Sequence, residues 1–378
     1  MINFKLFFLC HSVYSDNGVF DPNYSITFGF LQKYFPFTPA IRHSLLDAGE
    51  SRFYPKGIEK GFHRYRWLGR LPSPLRYISE VFFNFIVLFH WKPDVVLSID
   101  PLCTFVPLLL KQMGLVRSVI FITPDFSERR FENSLMNWLY YRIDGFCTRK
   151  ADINLCVSKL IIERKVLQYS INADKFYHLP NIPDPDNIAC LNLNNKLPCS
   201  FIYVGNVSSQ IDFSTTIEII KKMQSIFPET SIHIVGGGDF LDGLKHQFLD
   251  DGVNNVTFYG ILSHNETLSL ISQCEYGIAL YNGIFSYDKY RDSCKIREYQ
   301  ALSCIPITTS IVQSNADEIR NFGSGLFIEN VEDLIKQLIE LTQDDAKAKQ
   351  LRENCQRNYM NYSSKYKEYQ ELIVQLTI

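Results

Sequence analysis

Hydrophobic positions in the first half of the chain alternate between two patterns. Phe4–Cys10, Val95–Ile99, Val119–Thr123 and Ile153–Val157 are short apolar runs of strand length, while Ser25–Phe35, Phe105–Met113 and Leu135–Ala151 carry apolar residues at helical spacing. Strands alternating with helices predict a doubly wound parallel sheet. The rhythm stops at His178–Asn187, HLPNIPDPDN, whose three prolines exclude a helix interior or a central strand and mark a linker.

Beyond the linker the alternation starts afresh. Ser200–Val204, Ser231–Val235, Val256–Tyr259, Gly277–Tyr281 and Ile305–Thr309 read as strands; Asp212–Phe227, Leu241–Leu249, Glu266–Gln273 and Cys294–Leu302 read as helices. The predicted organisation is a first Rossmann-like domain over 1–180, a linker over 181–199 and a second Rossmann-like domain over 200–343. A polar helix over 344–378 is long enough to run back toward the first domain.

Length and composition agree with two cores: 378 residues, 46% hydrophobic. A formal charge of −2 gives no global attraction to nucleic acid, so none is expected as a partner. The ten cysteines stand singly in apolar context, which fits reduced thiols in a cytosolic protein. The first ten residues lack a proper h-region and are expected to form a strand, not a signal peptide. No apolar run reaches the roughly 18 residues a membrane span needs. Charge is uneven locally. Arg52, Lys56, Lys60, Arg64, Arg66, Arg70 and Arg76 face one acid, Glu59, with Phe53, Tyr54, Phe62, Tyr65 and Trp67 interleaved, so segment 52–76 is expected at the inner face of a membrane. The apolar run Val81–Phe89 is expected in the core, away from lipid.

Ligands of open parallel sheets sit at the carboxyl ends of strands. Two glycine turns occupy such places in the second half, Gly205-Asn206 and Gly236-Gly237-Gly238-Asp239, and either could admit a phosphate to the backbone or be a plain tight turn. In the first half Asp125, after the strand Val119–Thr123, is the candidate base for an acceptor hydroxyl, with an N-cap as its bland alternative. Asp100 is second choice, its Asp-Pro context favouring a turn. His11, Asp16, Asn17, Gly18 and Arg130 are candidates for the acceptor side, although a core histidine reads as well for His11.

The segment Asp292-Ser293-Cys294-Lys295-Ile296-Arg297-Glu298-Tyr299-Gln300-Ala301, followed by Ile305-Pro306-Ile307, resembles the K-x-x-E-Y-x-A helix and apolar strand of GT-B glycosyltransferases, family 4 in particular. The order Y-V-G-N, G-G-G-D, N-V-T-F-Y-G and I-A-L-Y-N supports the resemblance over roughly 201–316; W-K-P-D-V-V-L-S-I-D-P and R-K-A-D-I-N-L-C-V-S extend it loosely into the first half. The resemblance implies a GT-B fold, two Rossmann-like domains about a cleft that closes on the linker. It implies a UDP- or GDP-linked sugar donor and a lipid-linked or saccharide acceptor, in surface polysaccharide or lipopolysaccharide synthesis at the cytoplasmic side of the inner membrane.

Lys295 would hold the leaving diphosphate and Glu298, three residues on along the same helix, the ribose. Gly205, Asn206, Gly237 and Tyr281 would complete the donor site, with the base near Phe258, Tyr259 and Gly260. No cofactor and no metal are expected, since Asp184-Pro185-Asp186 lies in the linker.

The sequence departs from the family pattern in three places. Tyr290 stands where a second glutamate is usual, Gln210-Ile211-Asp212-Phe213 replaces the lysine after the glycine turn, and the Glu298 to Pro306 spacing is one residue longer. A nucleotide-sugar epimerase and a non-catalytic partner subunit are the rival functions. An oxidoreductase is disfavoured, because no G-x-G-x-x-G follows the first strand. Asp125 as a base suits inversion of the anomeric centre, whereas the family 4 relatives retain it.

Overall fold

A computed structural model describes residues 5–377 apart from 13, 16–17, 20–34, 36, 46–48, 58–60 and 194. The chain divides into two compact units, Met1–Pro180 with Lys367–Ile378, and Asn181–Tyr366. Asp16, Asn17 and nearly all of the predicted helix Ser25–Phe35 lie outside the described residues.

The first unit is built on eight strands. They are β1 (Leu6–Ser12), β2 (Ala40–Ser44), β3 (Ser51–Tyr54), β4 (His63–Tyr65), β5 (Val95–Ile99), β6 (Ser118–Thr123), β7 (Ile153–Cys156) and β8 (Phe176–His178). Their order in the sheet is β8-β7-β6-β5-β1-β2-β3-β4. From β8 to β2 neighbours run parallel, and only β2-β3-β4 is an antiparallel tail. The central strands are wholly buried, as runs such as LFFLCHS and VVLSI require when helices cover both faces. Helices α1 (Ser73–Trp91), α2 (Pro101–Gln112), α3 (Ser134–Lys150) and α4 (Lys159–Tyr169) join them.

The basic segment 52–76 supplies β3, β4, the short helix Arg66–Gly69 and the first turn of α1, and of its arginines Arg76 is buried. The expectation that the run Val81–Phe89 lies in the core holds only in part. The run belongs to α1, which buries Leu88 and packs Val81, Phe83, Phe85 and Val87 on the core but leaves Phe82, Ile86 and Phe89 exposed, and which buries Arg76, Glu80 and Asn84. An apolar run alone does not say which face turns inward; here the inner face was claimed by the histidines of β1 and β2.

The second unit has six strands, all parallel: β9 (Leu197–Val204), β10 (Ser231–Val235), β11 (Val256–Gly260), β12 (Cys274–Ala279), β13 (Ile305–Thr308) and β14 (Leu326–Phe327), in the order β11-β10-β9-β12-β13-β14. Its helices are α5 (Phe213–Ile226), α6 (Leu241–Asp250), α7 (His264–Gln273), α8 (Cys294–Ala301), α9 (Gln313–Phe322), α10 (Val331–Gln343) and the greater part of α11 (Asp345–Thr377), whose residues from Lys367 onward belong to the first unit.

The proline-rich stretch expected as linker contains a short helix, Pro185–Ala189, capped by Asp184 and opened by Pro185, the one position where proline suits a helix. It lies within the second unit, anchored where the Asn181 amides reach Asp292.

Candidate functional site

In both sheets the strand order reverses once, between β1 and β5 in the first unit and between β9 and β12 in the second. Loops leaving the carboxyl ends of these strands diverge and open a crevice. The residues that follow them carry the candidate chemistry.

In the second unit β9 ends at Val204 and the chain turns at Gly205. Its φ of 131° is a conformation a side chain resists, and a Cβ would stand 3.1 Å from Lys295 Nζ. Gly236, also at φ 131°, ends β10 so close to this turn that its Cβ would fall 1.9 Å from the Gly205 carbonyl. The turns are tied together: Gly205 donates to the Val235 carbonyl, Val207 to that of Gly237, and Gly236 to that of Gly260. Asn206 accepts a bond from the Tyr203 hydroxyl on its carbonyl, 2.6 Å away.

Lys295 sits in the first turn of α8. Its ammonium lies 3.4 Å from Tyr203 Oη and over the rings of Tyr203 and Tyr281, at 4.4 and 5.4 Å from their centroids. Burial works against the charge, but the two tyrosines outweigh it and hold the lysine above its ordinary pKa. Tyr281 is buried and bonded through its hydroxyl to Ser293 Oγ, 2.9 Å away. That bond turns the Ser293 hydroxyl away from the amides of α8, which it does not cap.

A second cation shares the place. Arg291 lies over Tyr281 and Tyr287 at 5.0 and 5.2 Å, donates to Gln210 Oε1 and pairs with buried Asp288 at 3.2 Å. No period or motif marks Arg291 in the sequence. Its only signal was a basic residue beside the polar entry to α8, and the fold sets it against Gln210, in the segment that replaces the lysine of the GT-B enzymes this sequence resembles.

Glu298 does not partner Lys295. Its Oε1 lies 2.9 Å from His264 Nε2 at the start of α7, and this bond raises the imidazole's pKa. The capping box Ser263 to Glu266 fixes that helix start and hence the histidine. Of the three residues expected beside a base, Phe258 packs its ring on Phe248 in the core. Tyr259 is bonded to His233, and Gly260, at φ 66°, meets the glycine turns.

Tyr290 is buried, and its acidic neighbours do not stand in for a glutamate. Asp292 is consumed by Arg297, Asn315 and the Asn181 amide, and Asp288 faces Arg291.

The first unit gathers different chemistry at the strand reversal of its own sheet. His11, at the end of β1, meets Asp100 Oδ2 at 2.7 Å through Nδ1 and Glu80 Oε2 at 3.1 Å through Nε2. Asp100 ends β5 at φ 70° and caps α2 by accepting from the Cys103 amide, so it is a helix cap and not a plain turn. Burial disfavours a charged imidazole, yet Asp100 outweighs it and His11 titrates well above the ordinary value. Burial likewise works to raise both carboxyls, but the histidine holds Asp100 and Glu80 below theirs. His43, bonded to Ser51 and Asn84, is pulled down by burial.

The nitrogen of His11, a carboxylate oxygen of Asp100 and the Cys103 sulfur lie within 4.8 Å of one another. Both imidazole nitrogens are already engaged by carboxylates, Asp100 at 2.7 Å and Glu80 at 3.1 Å, so in this arrangement the ring turns no free nitrogen to a cation.

Asp125 stands two residues beyond β6. Its side chain is 42% exposed and accepts from Arg130 Nη1 at 2.6 Å. The following helix α3 is capped by Asn133, so Asp125 is not its N-cap. Asp125 and Arg130 line a small cavity with Asp100, Thr123, Tyr140 and Lys165. Its floor is the buried pair Lys165–Asp144, 2.8 Å apart. Gly18 lies in a two-residue ribbon opposite Ser15.

The sequence model of the family Glycosyl transferases group 1 matches residues 192–358. The O-antigen biosynthesis glycosyltransferase WbnH of Escherichia coli is 26% identical over 235 residues, 60% of this chain and 61% of that protein, so the chain spans about three fifths of the curated relatives it matches. Among solved structures, WaaG, a glycosyltransferase involved in lipopolysaccharide biosynthesis, aligns over 97% of this chain and 99% of its own at 14% identity, TM-score 0.66. The lipopolysaccharide outer core galactosyltransferase WaaB aligns over 98% and 99% at 15% identity, TM-score 0.64. The chain therefore has the GT-B fold of two doubly wound α/β units, and the match to the group 1 glycosyl transferase model falls within its second unit.

Proposed function

We propose that the protein is a glycosyltransferase that moves a sugar from a nucleotide donor to a saccharide or lipid-linked acceptor in the synthesis of an O-antigen or lipopolysaccharide type of surface polysaccharide. The observation that carries this is the pairing of the Gly205 turn with the Lys295 ammonium, 3.1 Å from where a Cβ would stand, at the strand reversal of the second unit. A nucleoside diphosphate fits there: glycine turns without side chains let it come close to the backbone, and Lys295 and Arg291 bring positive charge to the oxygens on which charge grows as it leaves. Two fixed cations do what a metal does for other diphosphates, so transfer should persist in a chelator. Glu298, oriented by His264, takes the ribose hydroxyls, and Gly260 and Tyr259 border the base.

The first unit takes the acceptor. In the step itself the bond from the anomeric carbon to the diphosphate oxygen breaks and a bond to the acceptor oxygen forms. Asp125, half-open to solvent and steadied by Arg130, receives the acceptor proton. His11 is held between two carboxylates with both nitrogens engaged, which suits a structural pivot beneath that site better than a base. The protein works at the cytoplasmic face of the inner membrane, held there by basic residues of segment 52–76; no helix among the described residues is long and apolar enough to cross a membrane.

Release of free nucleoside diphosphate, measured with a panel of UDP- and GDP-sugars with and without saccharide acceptors, tests the proposal. Acceptor-dependent release supports it. Donor epimerisation without acceptor, or no turnover with any pair, favours the epimerase or the non-catalytic subunit.

A further inference from the structure

Helix α1 is amphipathic the wrong way round. From Ser73 to Phe89 its only charged side chains are Arg76 and Glu80, and both are buried, together with Asn84. They face inward because they serve the polar centre of the first unit: Glu80 reaches His11 and Asn84 reaches His43. The outer face carries Leu75, Ile78, Phe82, Ile86 and Phe89, each between 46 and 65% exposed. At 3.6 residues per turn these five fall within an arc of about 80° and form a stripe about 21 Å long. A surface helix ordinarily shows the opposite arrangement. Val81, Phe83, Phe85 and Val87 on the flanks pack on the core, so the helix is anchored whatever meets the stripe.

The surroundings of the stripe indicate what meets it. The chain enters α1 from the short helix Arg66–Gly69, which buries Leu68 and Gly69 but leaves Trp67 54% exposed, with Arg64, Arg66 and Arg70 exposed around it. Over residues 50–70 the sequence carries Arg52, Lys56, Lys60, Arg64, Arg66 and Arg70 against Glu50 and Glu59, so this end is net positive even with Glu50 paired to Arg52, Arg64 and Arg66. An uncharged apolar stripe, a tryptophan beside it and a cationic end match the interface of an anionic bilayer, where acyl chains lie beneath negative headgroups. A stripe about 21 Å by about 10 Å offers roughly 200 Å², well short of the roughly 800 Å² per partner of a stable dimer.

We propose that α1 docks the first unit on anionic lipid, with its outer face lying in the headgroup and acyl boundary and the arginines at its start on the phosphates. This deepens the membrane reading given above and reverses its emphasis, since the apolar run, and not the basic segment alone, makes the contact. The inverted helix links that surface to the acceptor side, because the same helix holds His11 from beneath.

The test is co-sedimentation of the full chain with vesicles of phosphatidylglycerol and phosphatidylethanolamine, and with vesicles of phosphatidylcholine alone. Phe82→Ser with Ile86→Ser should lower partitioning to the anionic vesicles at least about tenfold while leaving the melting temperature unchanged, because both side chains already face solvent. Arg64→Gln, Arg66→Gln and Arg70→Gln together should also weaken it and remove its salt dependence.

Wild-type partitioning in the serine double variant overturns the proposal even if the arginine variant falls. Sedimentation velocity without lipid showing a dimer that the double variant abolishes overturns it in favour of a second copy. UDP and GDP binding measured on the same preparations reports the second unit separately, so a failure of the donor reading would not be mistaken for a failure of docking.

Discussion

The two units solve the same placement problem with opposite chemistry. Each reverses its strand order once, between β1 and β5 or between β9 and β12, and each sets its polar residues just past those strands. At the second reversal stand glycines and two cations, Lys295 and Arg291, stacked on Tyr203 and Tyr281. At the first stand carboxylates and histidines, with His11 locked between Asp100 and Glu80 and Asp125 open above. A cationic, glycine-lined place suits an anionic leaving group, and an acidic one suits a hydroxyl that must lose a proton. The fold supplies position in both; the residues decide what is done there.

The sharpest way to break this contrast is Asp125→Asn. If the first unit supplies the base, the variant should lose transfer by about 10²–10⁴-fold, with donor affinity and melting temperature unchanged, because Asp125 caps no helix. Full activity in a folded Asp125→Asn protein would leave the first unit without its assigned chemistry.

Lys295→Ala addresses the other side. Removing a cation from the leaving diphosphate should lower turnover by about 10²–10³-fold, read as acceptor-dependent nucleotide release. Near wild-type release would mean that the phosphate lies elsewhere.

His11→Ala separates support from catalysis in the first unit. It removes the closest partner of both Glu80 and Asp100, leaving Glu80 with Arg76 and His43 at 3.9 Å and Asp100 with the Cys103 amide, so we expect a loss of about 3 kcal/mol in stability, seen as a lower melting temperature. Because His11's pKa is raised on folding, its contribution is complete below its ordinary 6.5 and is lost as pH rises through the folded value. Asp100 and Glu80 are lowered, so theirs is complete above their ordinary 3.8 and 4.5 and is lost as pH falls through the folded values. The wild type should thus gain most from the cluster between about pH 4.5 and 6.5, and the variant should flatten that maximum.

The smallest effect is expected at the ribose. Glu298→Ala should raise the donor KM about tenfold with little change in kcat. His264→Gln should do less, and its difference from wild type should shrink as pH rises through the raised His264 value, where the imidazole gives up its charge.

The sequence alone carried the fold of the second unit nearly intact. Strand and helix bounds there fall within a few residues of expectation, because buried parallel strands are short apolar runs and helices keep their spacing. It also carried Gly205, Gly236 and Lys295, because a backbone conformation and a charge in a fixed motif are local properties.

Four things belonged to the tertiary structure. The antiparallel tail β2-β3-β4 is bounded by residues whose placement depends on β1, not on their own period. Arg291 gains its role only when the loop before α8 folds against Gln210, 81 positions away in the chain. Glu298 takes His264 and not Lys295, since neighbours on one helix still point to different partners. And α1 turned its polar face inward because His11 and His43, contributed by two other strands, needed Glu80 and Asn84. Periodicity reports that a helix has two faces; which one is buried depends on what waits on the sheet beneath it.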